Sequence, residues 1–575
     1  MKHFFKYMKP YWKKGLWTVF FTFINVLSVM ILPSLMADIV NVGVLRGNTD
    51  IILSKGAIMV VVTLVGTAVM IAAAYYSSDI STKVATDVRQ DLFKKAESLS
   101  LSQMDDVGVS SLITRTTNDV DMIRMITQMG LRMMARTPLM FISGIVMAFS
   151  KSPQLSILLL ISMPFLAIFI FLVGKRAVPL FKVNQEKVDN MNRVLRENIT
   201  GVRVVRAFDK KDYEMERFDS TNVELRQLNL RLNRIMSLLS PGIYLFLNVM
   251  IIIVIHRATK QIDLGYLEIG DLMAFTQYIF MILFSVVLLS MILIMIPRGE
   301  VSAKRIYKIL SMEDKINITE SGDISDGPVS LEFNDVSFRF DDAEECTIKN
   351  LSFQAKAGDT VAIIGGTGTG KSTVANLILR FFDVTQGSIS FNGLDIRQWN
   401  LEALRQRIGH VPQKAQLFSG TIASNLRKGK PNATEEEMKK ALKISQSMEF
   451  VEEYEDGLDH QVAQNGSNFS GGQKQRLSIA RAIVRDPQIY IFDDSFSALD
   501  FRTEKNLQHQ LEQETREAIR LIIAQKISTV EGADLIVVLD DDHVDGVGKH
   551  EQLLETSPVY REIYESQRSR EVSSR

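Results

Sequence analysis

Long uncharged stretches alternate with charged ones in the N-terminal half of the chain. The stretches without Asp, Glu, Lys or Arg are 15–37, 56–78, 152–174, 235–256 and 272–297. Each has about the 20 residues that a helix needs to cross roughly 30 Å of hydrocarbon. A further stretch, 129–150, reaches that length only with the turns around Arg132 and Arg136. The pattern therefore predicts six membrane-spanning helices.

Basic residues at the start of the chain indicate its orientation. Lys2, Lys6, Lys9, Lys13 and Lys14 precede the first uncharged stretch, and cytoplasmic flanks carry an excess of positive charge. The apolar run that follows is too long for a signal peptide, and no small-residue cleavage site follows it. Because the number of spans is even, we expect both termini on the cytoplasmic side.

Two long charged stretches, 79–136 and 175–234, lie on the cytoplasmic side in this arrangement. Apolar residues recur at helical spacing in the second stretch, for example Val194, Ile199 and Val202. We expect helices of about 25 residues that run out and back, roughly 35–40 Å beyond the membrane. A solvated charged loop is the alternative, although structureless loops of this length are uncommon.

The pattern changes after the last span. Residues 311–328 are charged and interrupted by glycines, which predicts a linker. A strand-like run opens at Val329, and short apolar runs then alternate with helical ones. We therefore predict a transmembrane domain over 1–310 and a cytosolic α/β domain over 329–575.

Composition excludes several classes of function. The 575 residues include 66 Lys+Arg and 66 Asp+Glu, so the net charge is zero and no basic excess points to nucleic acid. The single cysteine, Cys346, excludes an intrachain disulfide and a cysteine metal cluster. Any binding or catalytic chemistry of this chain therefore depends on residue types other than cysteine.

One glycine-rich segment of the C-terminal half has the residues of a phosphate-binding loop. Its residues are Gly365, Gly366, Thr367, Gly368, Thr369, Gly370, Lys371 and Ser372. They fit G-x-x-x-x-G-K-[ST], in which backbone N–H groups surround phosphates while the Lys and the hydroxyl reach the terminal phosphate and Mg²⁺. The strand-like run 360–364 precedes the segment and a helical run from Thr373 follows it, which adds the positive end of a helix. The segment predicts binding of a nucleoside triphosphate.

Further segments accompany this loop in a characteristic order. They are Val411-Pro412-Gln413, Ser470-Gly471-Gly472-Gln473, the apolar run 489–492 ending at Asp493, and Ser497-Ala498-Leu499-Asp500. They resemble the Q-loop, signature, Walker B strand and D-loop of ATP-binding cassette (ABC) proteins. Nearly the whole chain resembles a half-transporter of the ABC exporter class. The resemblance implies a six-helix α-helical transmembrane domain fused to a cytosolic α/β P-loop nucleotide-binding domain, in a bacterial cell membrane.

The resemblance also implies ATP and Mg²⁺ as cofactors. The implied ATP-binding positions are Phe340, Gly365, Gly366, Thr367, Gly368, Thr369, Gly370, Lys371, Ser372, Thr373 and Gln413. The implied metal positions are Ser372, Gln413 and Asp493. Within these sets, Lys371 neutralises phosphate charge, and Phe340 stacks on adenine.

The chain departs from the family at two catalytic positions. Asp494 stands where the family has a Glu that polarises the attacking water, and Gln525 stands where it has the switch histidine. The Asp carboxylate falls about 1.5 Å short, and a displacement of that size costs about 10²-fold in rate. An amide cannot exchange a proton near neutral pH. We interpret the site as one that binds ATP but hydrolyses it poorly, and a slower working site is the alternative.

The intact signature, Ser470–Gln473, implies a partner. In the family two nucleotide domains close head-to-tail, so each ATP lies between one chain's Walker motifs and the other chain's signature. A homodimer would hold two impaired sites, so we expect a heterodimer with a second ABC half-transporter whose Glu and His complete the competent ATPase site. Coupling helices near Ser102–Val107 and Lys210–Glu214 are implied to dock on the nucleotide domains.

Met and Phe side chains in the last two spans indicate what kind of compound the chain could transport. They are Met236, Phe246, Met250, Met273, Phe280, Met281, Phe284, Met291 and Met295. Thioethers and aromatic faces suit promiscuous binding, although contact with the lipid bilayer or with other helices explains the same residues. We expect ATP-driven export of amphiphilic compounds or drugs. The alternatives are a dedicated lipid, peptide or haem transporter, an importer on the same scaffold, and a regulatory protein that gates a partner.

Overall fold

The computed structural model describes residues 4–313, 324–325, 327–340, 343–541 and 543–573. The chain divides into two compact units. One unit holds Met1–Glu97 and Gly108–Met312, and the other holds Ser98–Val107 and Glu313–Arg575. Most of the predicted linker over 311–328 lies outside the described residues.

Helices make up the chain from residue 5 to residue 310. In order they are α1 (Phe5–Met8), α2 (Trp12–Asp38), α3 (Thr49–Ser98), α4 (Leu101–Val107), α5 (Val109–Thr114), α6 (Val120–Met129), α7 (Ala135–Lys151), α8 (Pro153–Thr200), α9 (Val202–Ala207), α10 (Lys211–Met236), α11 (Leu239–Asp263) and α12 (Ile269–Leu310). Stretches long and apolar enough to cross a membrane lie in Phe5–Val44, Thr49–Ser98, Val109–Lys151, Pro153–Thr200, Lys211–Asp263 and Ile269–Leu289. The prediction of six membrane-spanning helices is confirmed.

The charged stretches are helical rather than loops. Helices α3 and α8 each continue from an apolar part into a charged part, over 50 and 48 residues. Charged side chains then face one another between neighbouring helices, as Arg217 of α10 and Glu197 of α8 do at 2.6 Å. The helical prediction for these stretches is correct, and the solvated loop is not formed.

The expected coupling helix near Lys210–Glu214 is not a separate short helix. Lys211 opens the long helix α10, and the short helix nearest to it is α9. Asp209, between the two, has a φ of 49°. Asp tolerates this left-handed conformation better than most residues, so the chain turns there and the apolar run before the turn forms the short helix.

The C-terminal unit is built on a ten-stranded sheet with the strand order β5-β4-β1-β2-β12-β11-β3-β10-β9-β6. Its strands are β1 (Ser330–Phe338), β2 (Ile348–Lys356), β3 (Thr360–Gly365), β4 (Gln386–Phe391), β5 (Leu394–Asp395), β6 (Ile408–Val411), β9 (Ile489–Asp493), β10 (Ile519–Ile523), β11 (Leu535–Asp540) and β12 (His543–Gly548). The strands β7 (Gly420–Thr421) and β8 (Gln461–Val462) pair separately.

Helices of this unit cover the sheet and connect its strands. They are α13 (Lys371–Ile378), α14 (Leu401–Gln406), α15 (Ile422–Leu426), α16 (Glu435–Ile444), α17 (Met448–Glu452), α18 (Gly471–Ile483), α19 (Phe501–Glu514), α20 (Ile527–Val530), α21 (His550–Thr556) and α22 (Pro558–Ser573). Helix α4 of the N-terminal part also belongs to this unit. Gln103 of α4 donates from Nε2 to the carbonyl oxygen of Glu313 at 2.8 Å.

The parallel strands β11, β3, β10, β9 and β6 position the site. Strand β9 is buried at every residue, as is β10, because helices cover both faces of a parallel sheet. The carboxyl ends of parallel strands lie at one edge, where such sheets bind their ligands. The loops that follow β3, β6, β9 and β10 therefore converge at that edge.

Candidate functional site

The glycine-rich loop joins β3 to α13 at the carboxyl edge of the sheet. Gly368 and Gly370 have φ values of 94° and 83°, in a region that L side chains rarely adopt. A Cβ atom on Gly365 would lie 2.2 Å from the carbonyl oxygen of Leu539. The loop therefore turns sharply in front of α13, where free N–H groups and the helix dipole attract phosphate.

The ammonium group of Lys371 lies inside this loop. Its Nζ donates to the carbonyl oxygen of Gly365 at 3.0 Å and to that of Gly366. Lys371 is 9% exposed. Burial lowers the pKa of the ammonium, while the carboxylates of Asp494 and Asp493 oppose that shift. A buried cation that is held by neutral carbonyls gains strongly from an anionic phosphate.

Asp493 and Ser372 form a hydrogen-bonded pair next to the phosphate loop. The Ser372 hydroxyl donates to Oδ1 of Asp493 at 3.0 Å. Asp493 is 8% exposed, and its burial raises the pKa of the carboxyl group, against the hydrogen bond from Ser372. A buried carboxylate beside a hydroxyl oxygen offers the hard oxygen ligands that Mg²⁺ takes. The two residues fit a divalent cation next to the phosphate loop.

Three side chains meet at the ends of three parallel strands. Oδ2 of Asp494 accepts a hydrogen bond from Nε2 of Gln413 at 3.2 Å and one from Nε2 of Gln525 at 3.4 Å. Gln413 follows β6, Asp494 follows β9 directly, and Gln525 follows β10. These strands are neighbours in the sheet, so the structure brings the three sequence-predicted residues together.

Phe340 lies in an aromatic cluster. Its ring packs edge-on against Phe338 and Phe382, with centroid distances of 4.8 and 5.4 Å. Ser100, just before α4, and Ser102, within α4, line a groove with the same three phenylalanines. Phe382 and Ser100 were not predicted from the sequence, whereas Ser102 begins a segment that the resemblance implied to dock on a nucleotide domain. Ser100 carries no sequence signal for this place, because it lies more than two hundred residues away along the chain.

The signature residues start a helix. Ser470 is the N-cap of α18: its Oγ accepts from the N–H of Gln473, whose Oε1 accepts from the N–H of Ser470. Ser470 and Gly471 are exposed. Helix α18 thus presents its positive N-terminus to the surface. Asp500 caps α19 in the same way, and its hydrogen bonds from Thr503 lower the pKa of its carboxyl group.

Two family models match the chain. Residues 16–287 match the ABC transporter transmembrane region, and residues 348–497 match the ABC transporter domain. The matched stretches contain nearly all of the apolar spans and most of the nucleotide-site residues described above.

Curated relatives match the chain over nearly its full length. An uncharacterized ABC transporter ATP-binding protein of Mycobacterium tuberculosis is 36% identical over 98% of this chain and 97% of its own. An ATP-dependent lipid A-core flippase of Pectobacterium atrosepticum is 29% identical over 95% of this chain and 94% of its own. Among solved structures, a bacterial Atm1-family ABC exporter with ATP bound matches with a TM-score of 0.79 at 22% identity, covering 97% of this chain and 98% of that one. At this level of identity, the match to the solved structure shows a shared fold.

Proposed function

The chain belongs to the ABC transporter family, and from that premise we propose that it is the subunit of a heterodimeric exporter whose own ATP site binds ATP but hydrolyses it poorly. In this proposal ATP sits on the loop 365–372 and against Phe340. Ser372 and Asp493, together with Gln413, would hold Mg²⁺, which supplies positive charge between the phosphates when bound.

One observation carries this proposal: the phosphate-binding groups are complete beside an altered catalytic pair. Asp494 accepts hydrogen bonds from two amides, Gln413 and Gln525. Neither amide can take or give a proton near neutral pH. The Asp carboxylate is also shorter than the Glu of the family by one methylene group, about 1.5 Å, which matters for a water that must be held in line. In this proposal the site retains ATP-binding chemistry, and its remaining carboxylate, Asp494, lies too far back to accept the proton of the attacking water efficiently.

The exposed N-terminus of α18 supports the second half of the proposal. Ser470 and Gly471 are exposed at the positive end of a 13-residue helix, whose N-cap hydrogen bonds join Ser470 to Gln473. Such an end binds the phosphates of another chain's nucleotide without any change in this chain. In the heterodimer, this signature completes the partner's competent site, where most of the hydrolysis that drives transport takes place.

Purification of this chain without its partner tests the proposal. We expect an ATPase rate at least about 10²-fold below that of the pair, because the catalytic geometry is displaced in both sites of a homomer. The measurement is phosphate release by the membrane-reconstituted protein, with Lys371→Ala as the baseline. Rapid hydrolysis by the homomer that Lys371→Ala abolishes would contradict the proposal.

The exposed face of α12 supports an amphiphilic cargo. Met273, Phe280 and Phe284 are 45%, 47% and 57% exposed, and their spacing places them on one face of the helix. Large, adaptable apolar side chains on one face can contact chemically diverse hydrophobic molecules. We propose export of such compounds as the leading function.

A second candidate function is the movement of lipids with anionic headgroups. Relatives that are named lipid A-core flippases are 29% and 31% identical to this chain. Nε of Arg136, in the third span, is buried and has no hydrogen-bond partner among the described residues. Arg132 lies one helical turn earlier. Buried cations at membrane depth are costly and mark sites for anions or for partner charges.

Transport assays separate these two functions. If lipid is the cargo, Arg136→Gln should reduce translocation of a fluorescent anionic lipid in proteoliposomes by about tenfold, because one charge-assisted contact is worth about that factor. Efflux of a cationic dye should be unaffected. The control is Arg226→Gln on the exposed face of α10. Loss of dye efflux with unchanged lipid movement would exclude the lipid function.

A further inference from the structure

The C-terminal helix α22 contacts the segment that carries Gln525. The side-chain amide of Gln567 makes two hydrogen bonds there: Nε2 donates to the carbonyl oxygen of Gln525 at 2.7 Å, and Oε1 accepts from the N–H of Ile527 at 2.9 Å. One side chain thus bonds the main chain on both sides of Lys526. Both hydrogen bonds depend on a group that is donor and acceptor at once, which only an amide side chain provides in this form.

The segment contacted by Gln567 has no capping side chain of its own at the start of α20. Helix α20 contains 4 residues, and its N-cap, Lys526, makes no side-chain hydrogen bond to it. A helix this short does not persist without tertiary contacts, and its first N–H groups need partners from outside. Gln567 satisfies the N–H of Ile527 in place of a capping side chain.

Helix α22 is anchored to the rest of its unit at its start. Tyr560 is fully buried, its hydroxyl lies 2.7 Å from Nδ1 of His550, and its N–H donates to Oγ of Ser557 at 3.0 Å. Oγ of Ser557 in turn donates to Asp545. Gln567 follows Tyr560 by about two helical turns, so the two lie on the same face of α22. The amide of Gln567 therefore extends from a fixed helix.

The side chain of Gln525 lies at the nucleotide site, next to Asp494. Its main chain is held by Gln567, whereas its side chain donates to Oδ2 of Asp494 at 3.4 Å. We propose that Gln567 is a positioning residue, which holds residues 525–527 in place and thereby determines how long this chain's site retains ATP. The retention part rests on the proposed function, and the positioning part does not.

Amide hydrogen exchange of the full-length protein tests the positioning. In Gln567→Ala, exchange at the Ile527 amide is expected to rise by about tenfold, because this amide loses its hydrogen-bond acceptor. In Gln567→Glu, the carboxylate still accepts from Ile527 but cannot donate to Gln525, so protection of the Ile527 amide should largely return. Glu562→Ala, exposed on the same helix, is the control. Wild-type exchange in Gln567→Ala overturns the proposal.

Retention of nucleotide tests the consequence in the assembled pair. After photolabelling with an azido-ATP analogue, label on this chain should fall by about three- to tenfold in Gln567→Ala. It should fall less in Gln567→Glu and remain unchanged in Glu562→Ala. Faster exchange with unchanged retention overturns the link between Gln567 and the site. A wild-type pair that retains no label on this chain overturns the proposed function and the retention part together, while the exchange result still decides the positioning.

Discussion

Replacing Ser470 with Ala in this chain is expected to reduce ATP hydrolysis by the assembled transporter by about 10²–10³-fold. Removing one preorganised contact to a developing phosphate charge costs a factor of that size. Ser470 begins α18 at an exposed helix N-terminus, where it would complete the partner's competent site. The measurement is steady-state phosphate release from the reconstituted pair at saturating ATP, with nucleotide binding checked separately.

The matched variant is Asp494→Asn, which alters this chain's own site. It keeps the size of the side chain and removes its charge, so turnover of the pair should change by less than about threefold if this site contributes little. Gly471→Ala is expected to behave like Ser470→Ala: its added methyl group contacts nothing in this chain, but it would lie at the helix N-terminus that the partner's ATP approaches. Equal losses from Ser470→Ala and Asp494→Asn would show that the two sites are not asymmetric.

Trapping nucleotide during turnover is expected to find uncleaved ATP on this chain and mainly ADP at the partner's site. The reason is the phosphate loop around Lys371 beside Asp494 and Gln525, which in the proposed function activate water poorly. ATP that remains bound between two chains shifts the population toward associated nucleotide domains. Separation of the chains after photolabelling, followed by measurement of the ATP-to-ADP ratio on each, gives the result.

Restoring the family residues provides the comparison. The double variant Asp494→Glu with Gln525→His should raise hydrolysis at this site by about 10²-fold and shorten the residence of ATP there. Either single change should do less, because the Glu and the His act on the same attacking water. An empty site, or one filled mostly with ADP in the wild-type pair, would refute persistent ATP retention and leave the family assignment unchanged.

Local properties of the chain made several features predictable. Apolar length alone decides whether a helix can cross the hydrocarbon layer, so the spans were recognisable without any knowledge of their packing. The loop 365–372 was recognisable because its glycines, Lys371 and Ser372 act within a few residues of one another. The proposed loss of efficient hydrolysis likewise depends on the chemical identity of Asp494 and Gln525.

Helix boundaries were less predictable. A short helix was expected near Lys210–Glu214, where the structure has the start of α10, and the nearest short helix is Val202–Ala207. Apolar periodicity runs through the whole stretch, so it does not mark where one helix stops. The turn at Asp209, with its left-handed φ, sets the boundary, and apolar periodicity gives no sign of such a turn.

By itself, the sequence determined the number of spans, the phosphate loop and the altered chemistry of residues 494 and 525. Only the tertiary structure decided which distant groups meet: Gln413 and Gln525 at one oxygen of Asp494, and Gln567 on the main chain of Gln525. Parallel strands join through long crossovers, so their order in the sheet follows from the packing of helices on both faces rather than from neighbouring residues. A single hydrogen-bonding side chain such as Gln567 carries no periodic signal, and its partner exists only once the sheet and α22 have formed.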